Sequence, residues 1–147
     1  MMVYAGQFLA TFCCGVFAGA ALYISLVEHP ARMECGPELA ATEFPPSYRR
    51  ATVMQASLAV AGFLFAGLAW LGGASSWWLV GGVVLVSVAP FTLAVMMPTN
   101  KQLVDPRLDR KSERAAQLLA HWARLHRVRV VLSLVALVIF LYQFAGT

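Results

Sequence analysis

Hydrophobic positions along this chain form four long runs separated by polar breaks. The first extends from Val3 to Val27 and meets Glu28-His29-Pro30, where the residue before a proline is driven out of helical geometry. The second begins at Ala51 and ends at Leu71-Gly72-Gly73, and a tight turn through Ser76 leads into the third, Trp77 to Met97. The fourth has its apolar part between Leu125 and Phe144. Each is long enough for the roughly 20 residues that cross a bilayer. Trp70, Trp77 and Trp78 flank the short turn, as interfacial aromatics do.

The pattern predicts an all-α, four-transmembrane-helix bundle in one membrane domain, residues 1–147. Helices are expected over about 3–28, 51–72, 77–97 and 112–145, with connecting loops at 29–50 and 98–111. Gly36-Pro37 and Pro45-Pro46 make the first loop too irregular for one helix. In the second, Asp109 or Ser112 is placed to cap a helix, and Leu118, Leu119, Trp122 and Leu125 recur at helical spacing. The fourth helix is therefore expected to leave the membrane as one rod extended into the cytoplasm. The first apolar run lacks the basic residues that open a signal peptide, so it is expected to stay in the bundle.

Composition agrees with the pattern. The chain is 60% hydrophobic and 12% charged, about half the charge of a soluble domain. Four spans put the end of the first, the start of the second, the end of the third and the start of the fourth on the same side, and all 11 Lys and Arg residues fall on that side. By the positive-inside rule that side is cytoplasmic and both termini face out, in a membrane expected to be the bacterial inner membrane. The net charge of +4 accordingly reads as juxtamembrane charge at the lipid bilayer, not as a nucleic-acid interface. Cys13, Cys14 and Cys35 form no CxxC pair and imply no disulfide framework.

Candidate chemistry lies at the charged end. Small and polar residues fall on stripes: Gly15, Ala18, Leu22, Ser25 and His29 in the first helix, Thr52, Gln55, Ala59, Gly62 and Ala66 in the second. Such residues let membrane helices approach, and Gly15-xxx-Gly19 adds to the first face. Trp122, His126, Arg129 and Ser133 make a stripe in the fourth that descends into the bilayer. An arginine at that depth needs protein partners, and Glu28 and Asn100 are the expected ones. Glu28, His29 and His126 are also the ligand types that one iron or copper ion would take; the alternative is no cofactor, with both histidines hydrogen-bonded at the interface. His121 lies about 140° around the helix from His126 and cannot share an ion with it. Tyr48 is an interface anchor or a phenol at the pocket mouth.

Five strings carry a resemblance: Val27-Glu28-His29-Pro30-Ala31-Arg32; Pro46-Ser47-Tyr48 with Ala51-Thr52-Val53-Met54-Gln55; Pro90-Phe91-Thr92; Met97-Pro98-Thr99-Asn100; and Trp122-xxx-His126-xx-Arg129. Across essentially the whole chain, the sequence resembles the family once termed domain of unknown function 1772 and now associated with anthrone oxygenases. The resemblance implies an oxygenase that inserts oxygen at the activated methylene of a polycyclic phenol and needs no added cofactor. On that implication His126 or His29 is the base, Arg129 and Asn100 stabilise the anion, and Tyr48 lies at the mouth. Trp122, Gln55, Phe91 and Thr99 would contact a lipophilic small-molecule substrate. Two other readings stay open: a small-molecule binding or transport protein, and a structural subunit of a membrane complex whose small-residue faces, homo-oligomeric ones included, are contact surfaces.

Overall fold

The computed structural model describes residues 1–146 and is all-helical, with no strand among them. Helix α1 covers Met2–Tyr23, α2 His29–Glu34, α3 Pro37–Leu71, α4 Trp77–Val86, α5 Val88–Phe91, α6 Met97–Val104 and α7 Glu113–Ala145. Two π-helical turns, Ile24–Glu28 and Thr92–Met96, join α1 to α2 and α5 to α6. Four continuous spans result: Met2–Glu34, Pro37–Leu71, Trp77–Val104 and Glu113–Ala145, each long and apolar enough to cross a membrane. The first span packs on the second and fourth, and the third packs on the same two, closing the bundle.

The expected loop at 29–50 is not a loop. The chain remains helical through Glu34, turns at Cys35-Gly36, and starts α3 at Pro37, fourteen residues before the expected 51. Gly36 makes the turn with φ of 96°, a conformation that residues with a Cβ adopt at a cost. Pro30 fails to end the first helix because a π-turn precedes it. Widening the helix there relieves the clash between the proline ring and the carbonyl four residues back. Pro98 follows the second π-turn in the same way, so the third span runs to Val104 and only Asp105 to Ser112 is left of the expected 98–111 loop.

Pro45 and Pro46 are accommodated inside α3, although each removes one hydrogen bond from the ladder. Tertiary packing outweighs that loss. Ala40, Ala41 and Phe44 are buried against Leu103, Leu119 and Trp122, forming a second core at the charged end. Burial of that apolar surface drives the packing at this end. At about 1.5 Å per residue, the 33 residues of α7 extend roughly 50 Å, well past a hydrocarbon layer of about 30 Å. The rod expected for the fourth helix is present, and Ser112 is its cap: its Oγ accepts from the Ala115 amide at 3.2 Å.

Close packing uses one glycine of the expected stripes, Gly62, and one outside them, Gly6. A Cβ on Gly6 would lie 3.1 Å from the Phe65 carbonyl oxygen and 3.3 Å from both Cβ and N of Ala69, so the first two spans meet backbone to backbone there. One on Gly62 would lie 2.6 Å from Leu85. Gly19 has nothing within 4 Å and Gly15 only Leu137 at 3.9 Å. The Gly15-xxx-Gly19 pair therefore does not make a close helix contact within this chain.

Candidate functional site

The second-helix stripe is borne out at Gln55, Ala59, Gly62 and Ala66, which are buried, but not at Thr52, which is exposed. In α7, Trp122, His126 and Ser133 are buried and Arg129 is half-buried. Both stripes point to the same place, just inside the charged end. There Arg129 Nη2 donates to Gln55 Oε1 at 2.6 Å, and its guanidinium lies 5.8 Å from the ring centre of Phe17. His126 is 1% exposed; its ring stacks on Trp122 at 4.7 Å and its Nδ1 is 3.0 Å from Ser25 Oγ. His29 touches the same indole, with centroids 5.4 Å apart. Phe44 meets Trp122 edge-on at 5.2 Å and stacks on Tyr48 at 5.6 Å. Asn100 Nδ2 donates to the Tyr48 hydroxyl at 3.3 Å.

Two cavities meet at this cluster. A small one of about 20 Å³ is lined by Trp122, His126, Arg32, Ser47 and neighbouring residues of α3. It has room for about one water-sized molecule. A larger chamber of about 220 Å³ lies between the second and third spans, walled by Phe17, Ala56, Ala59, Val88, Ala89 and Leu93. Tyr48, Thr52, Gln55 and Arg129 line both. The chamber opens outward past Ala56 and Leu93, both exposed on the lipid-facing side of the spans.

Around these cavities six buried polar atoms have no hydrogen-bond partner among the described residues: His29 Nδ1, Arg32 Nε, Gln55 Nε2, Asn100 Oδ1, Trp122 Nε1 and Arg129 Nε. Unsatisfied groups of this kind cost about 1–3 kcal/mol each and need an explanation. Four of them, on Arg32, Gln55, Trp122 and Arg129, can only donate. The cluster is thus disposed to receive a ligand with acceptor oxygens.

Several expected partners are placed differently. Glu28 does not reach Arg129. It pairs with Arg32, one turn along the helix, and accepts from Ser47 Oγ at 2.9 Å, while Arg32 Nη1 also meets Glu43 at 3.0 Å. The expected metal set of Glu28, His29 and His126 is not assembled: among the described residues no three His, Cys, Asp or Glu side chains converge as an ion requires. Successive residues leave a helix about 100° apart, and Glu28 is turned away by its ion pairs while His29 faces Trp122. Phe91, Thr99, His29 and Asn100 line neither cavity, the last two standing behind Trp122 and Tyr48, which they touch; the aromatic wall is built by Trp122, Phe44, Tyr48 and Phe17. His121 is exposed. Arg32 and Phe44 were missed as site residues. The four-residue spacing of Glu28 and Arg32 was a usable signal for the first, whereas Phe44 sits beside two prolines and read as loop.

Asp105 and Arg107 lie outside the spans, in the turn before α7. The Asp105 carboxylate accepts from Arg107 Nε and from its backbone amide at 3.2 and 2.9 Å, and these bonds hold its pKa below the ordinary carboxylate value.

A family model described as anthrone oxygenase matches residues 44–139 of the chain. No curated protein and no solved structure gives a significant match. The matched stretch contains Tyr48, Gln55, Asn100, Trp122, His126 and Arg129, and begins after Ser25, Glu28, His29 and Arg32.

Proposed function

The chain belongs to the anthrone oxygenase family, and from that premise we propose that it is a membrane-embedded oxygenase oxidising a lipophilic aromatic or quinone-like compound at the charged, cytoplasmic end of its bundle. The observation that carries the reading is the junction of the two cavities at Arg129 and Gln55. The chamber is smaller than the roughly 300–1,000 Å³ of pockets that enclose a drug-sized ligand. It suits one or two fused rings, with the remainder of a larger substrate left in lipid beside Leu93. The small cavity beside His126, with room for about one water-sized molecule, adjoins the chamber at Arg129 and Gln55.

The reaction needs an acidic methylene, a base and a place for negative charge. An imidazole of the site, His29 or His126, takes a proton from the carbon. Arg129 and the Gln55 amide face the oxygen onto which the resulting charge delocalises. The carbanion passes its electrons to dioxygen and forms a C–O bond, and protonation gives the hydroperoxide. Loss of the second carbon-bound proton with O–O cleavage then yields C=O and one water. One dioxygen is consumed per methylene, and one of its atoms is retained. None of these steps uses an electron source beyond the substrate.

The test is oxygen uptake with anthrone as probe, using purified full-length protein in lipid nanodiscs and anthraquinone absorbance as the second readout. Equal molar consumption of oxygen and formation of quinone, well above autoxidation in empty nanodiscs, is the expected result. A rate no higher than that of empty nanodiscs over a set of anthrones and naphthols would overturn the reading.

A further inference from the structure

Ser25 behaves unlike most of the hydroxyls on these helices. Thr11, Thr42, Ser57, Ser87, Thr92 and Ser133 each donate to a backbone carbonyl three or four residues earlier, at 2.6 to 2.9 Å. That is the ordinary behaviour of a hydroxyl on a helix. Ser25 has no such bond among the described residues, and its one partner is His126 Nδ1, across the bundle at 3.0 Å. Ser25 lies in the π-turn Ile24–Glu28, an irregularity that occurs disproportionately at functional sites.

We infer that Ser25 donates its proton to His126 Nδ1, so that the uncharged imidazole carries its own proton on Nε2 and presents it to the small cavity. The deduction is a count of protons. A hydroxyl has one hydrogen, and an uncharged imidazole has one N–H and one bare nitrogen. Were Nδ1 the protonated nitrogen, it would donate to Ser25 and the serine hydrogen would need another acceptor, which the surrounding carbonyls do not supply. Were the hydroxyl the donor, both groups would be satisfied by one bond. His126 lines the small cavity and Ser25 does not; with Nδ1 engaged by the serine, Nε2 is the ring nitrogen left to serve the cavity.

Ser25 is thus a positioning residue, acting through His126. The assignment rests on the proposed oxygenase reading for its catalytic meaning and refines it. His126 then gives a hydrogen bond to a negatively charged oxygen, of the delocalised anion or of the peroxide, alongside Arg129. His126, with Nδ1 engaged by the serine, is then not the group that takes the proton from carbon.

The experiment is nitrogen NMR of the full-length protein, ¹⁵N-labelled at histidine and held in nanodiscs, with the His126 signals identified by their loss in His126→Gln. The expected wild-type spectrum has a protonated Nε2 and a bare, hydrogen-bonded Nδ1. In Ser25→Ala the signals move toward a mixture of tautomers and kcat on anthrone falls roughly tenfold to a hundredfold, with KM little changed. Ser25→Thr restores both. A wild-type spectrum with the proton on Nδ1 overturns the inference, and that measurement needs no variant to fold. An unchanged His126 spectrum in Ser25→Ala overturns it equally. A protonated Nε2 in a protein without oxygenase activity would sink the functional reading and leave the serine assignment standing.

Discussion

The hydrogen bond between Arg129 and Gln55 links the second and fourth spans inside the bundle, and its energy is open to measurement. Gln55 is 2% exposed, and the 2.6 Å distance is that of a short, charge-assisted bond. Such bonds contribute about 1.5–3 kcal/mol in soluble proteins. Interhelical hydrogen bonds measured in a membrane bundle average about 0.6 and reach about 1.7 kcal/mol, because the unfolded chain in lipid finds other partners. A charged donor at this distance belongs near the upper end, and we expect a coupling of about 1–2 kcal/mol. Gln55→Leu leaves the guanidinium without its acceptor, and Arg129→Met leaves the Gln55 amide with neither end partnered. Each single change should destabilise by about 1–3 kcal/mol. The double variant removes both partners together and should lose less than the sum of the two by the coupling energy. Arg129→Met also removes the contact with Phe17, but does so in both arms of the cycle, so that term cancels. Reversible unfolding in mixed detergent and dodecyl sulfate micelles, followed by tryptophan fluorescence, reads all four stabilities. Single effects that add to within about 0.5 kcal/mol would show that the two side chains do not support one another.

Four further outcomes follow from the same geometry. Gly6→Ala forces a Cβ against the Phe65 carbonyl and should cost about 1–3 kcal/mol in that unfolding assay, whereas Gly19→Ala meets nothing and should be close to neutral. Ala56→Phe places a ring in the outward mouth of the chamber; it should raise KM for anthrone about tenfold or more while leaving the unfolding midpoint nearly unchanged, and an unaltered KM would exclude that mouth as the entrance. A membrane-impermeant maleimide should label exposed Cys35 only when the cytoplasmic face is accessible, with buried Cys13 and Cys14 protected until the bundle unfolds; labelling of Cys35 from the outside would invert the topology. The Asp105 carboxyl carbon should titrate below the usual carboxylate range and move back upward in Arg107→Ala. Because this pKa is depressed on folding, any stability it contributes is present above the unfolded value and lost as the pH falls through the folded one.

The four spans were legible because the bilayer imposes a length and a hydropathy that few other structures share. The polar stripe of the fourth helix was equally legible, since a spacing of four, three and four fixes a common face before any neighbour is known. What could not be read was the identity of the partners. Depth alone made Glu28 a candidate for Arg129, but a glutamate four residues from Arg32 finds that arginine within its own helix first. Gln55 was visible on its stripe, yet nothing along the chain showed that it would face Arg129 and not Asn100. Gly15-xxx-Gly19 had the spacing of a close contact without the face, while the close approaches are made by Gly62, on the second-helix stripe, and by Gly6, in no conspicuous motif.

The segments misread as loops explain why the site lies where it does. Pro30 and Pro98 are ordinarily stop signals, and each is crossed by placing a π-turn just upstream. A π-turn takes one more residue per turn than an α-helix, so side chains beyond it are rotated from the face that α-helical periodicity assigns them. In the first span this lies at Ser25 and His29, in the third just before Thr99 and Asn100, at the same end of the bundle. Once past the prolines, both spans stay helical far enough to build a second core on Phe44, Leu103 and Leu119. That core supports Trp122, and Trp122 in turn contacts the rings of both His29 and His126. Straightening the first π-turn by deleting one residue within Ile24–Glu28 should therefore disturb His126 through Ser25 and His29 together. Such a deletion should abolish oxygenase activity even if the protein still inserts and folds, and retention of activity would mean that the irregular turn serves only to accommodate the proline.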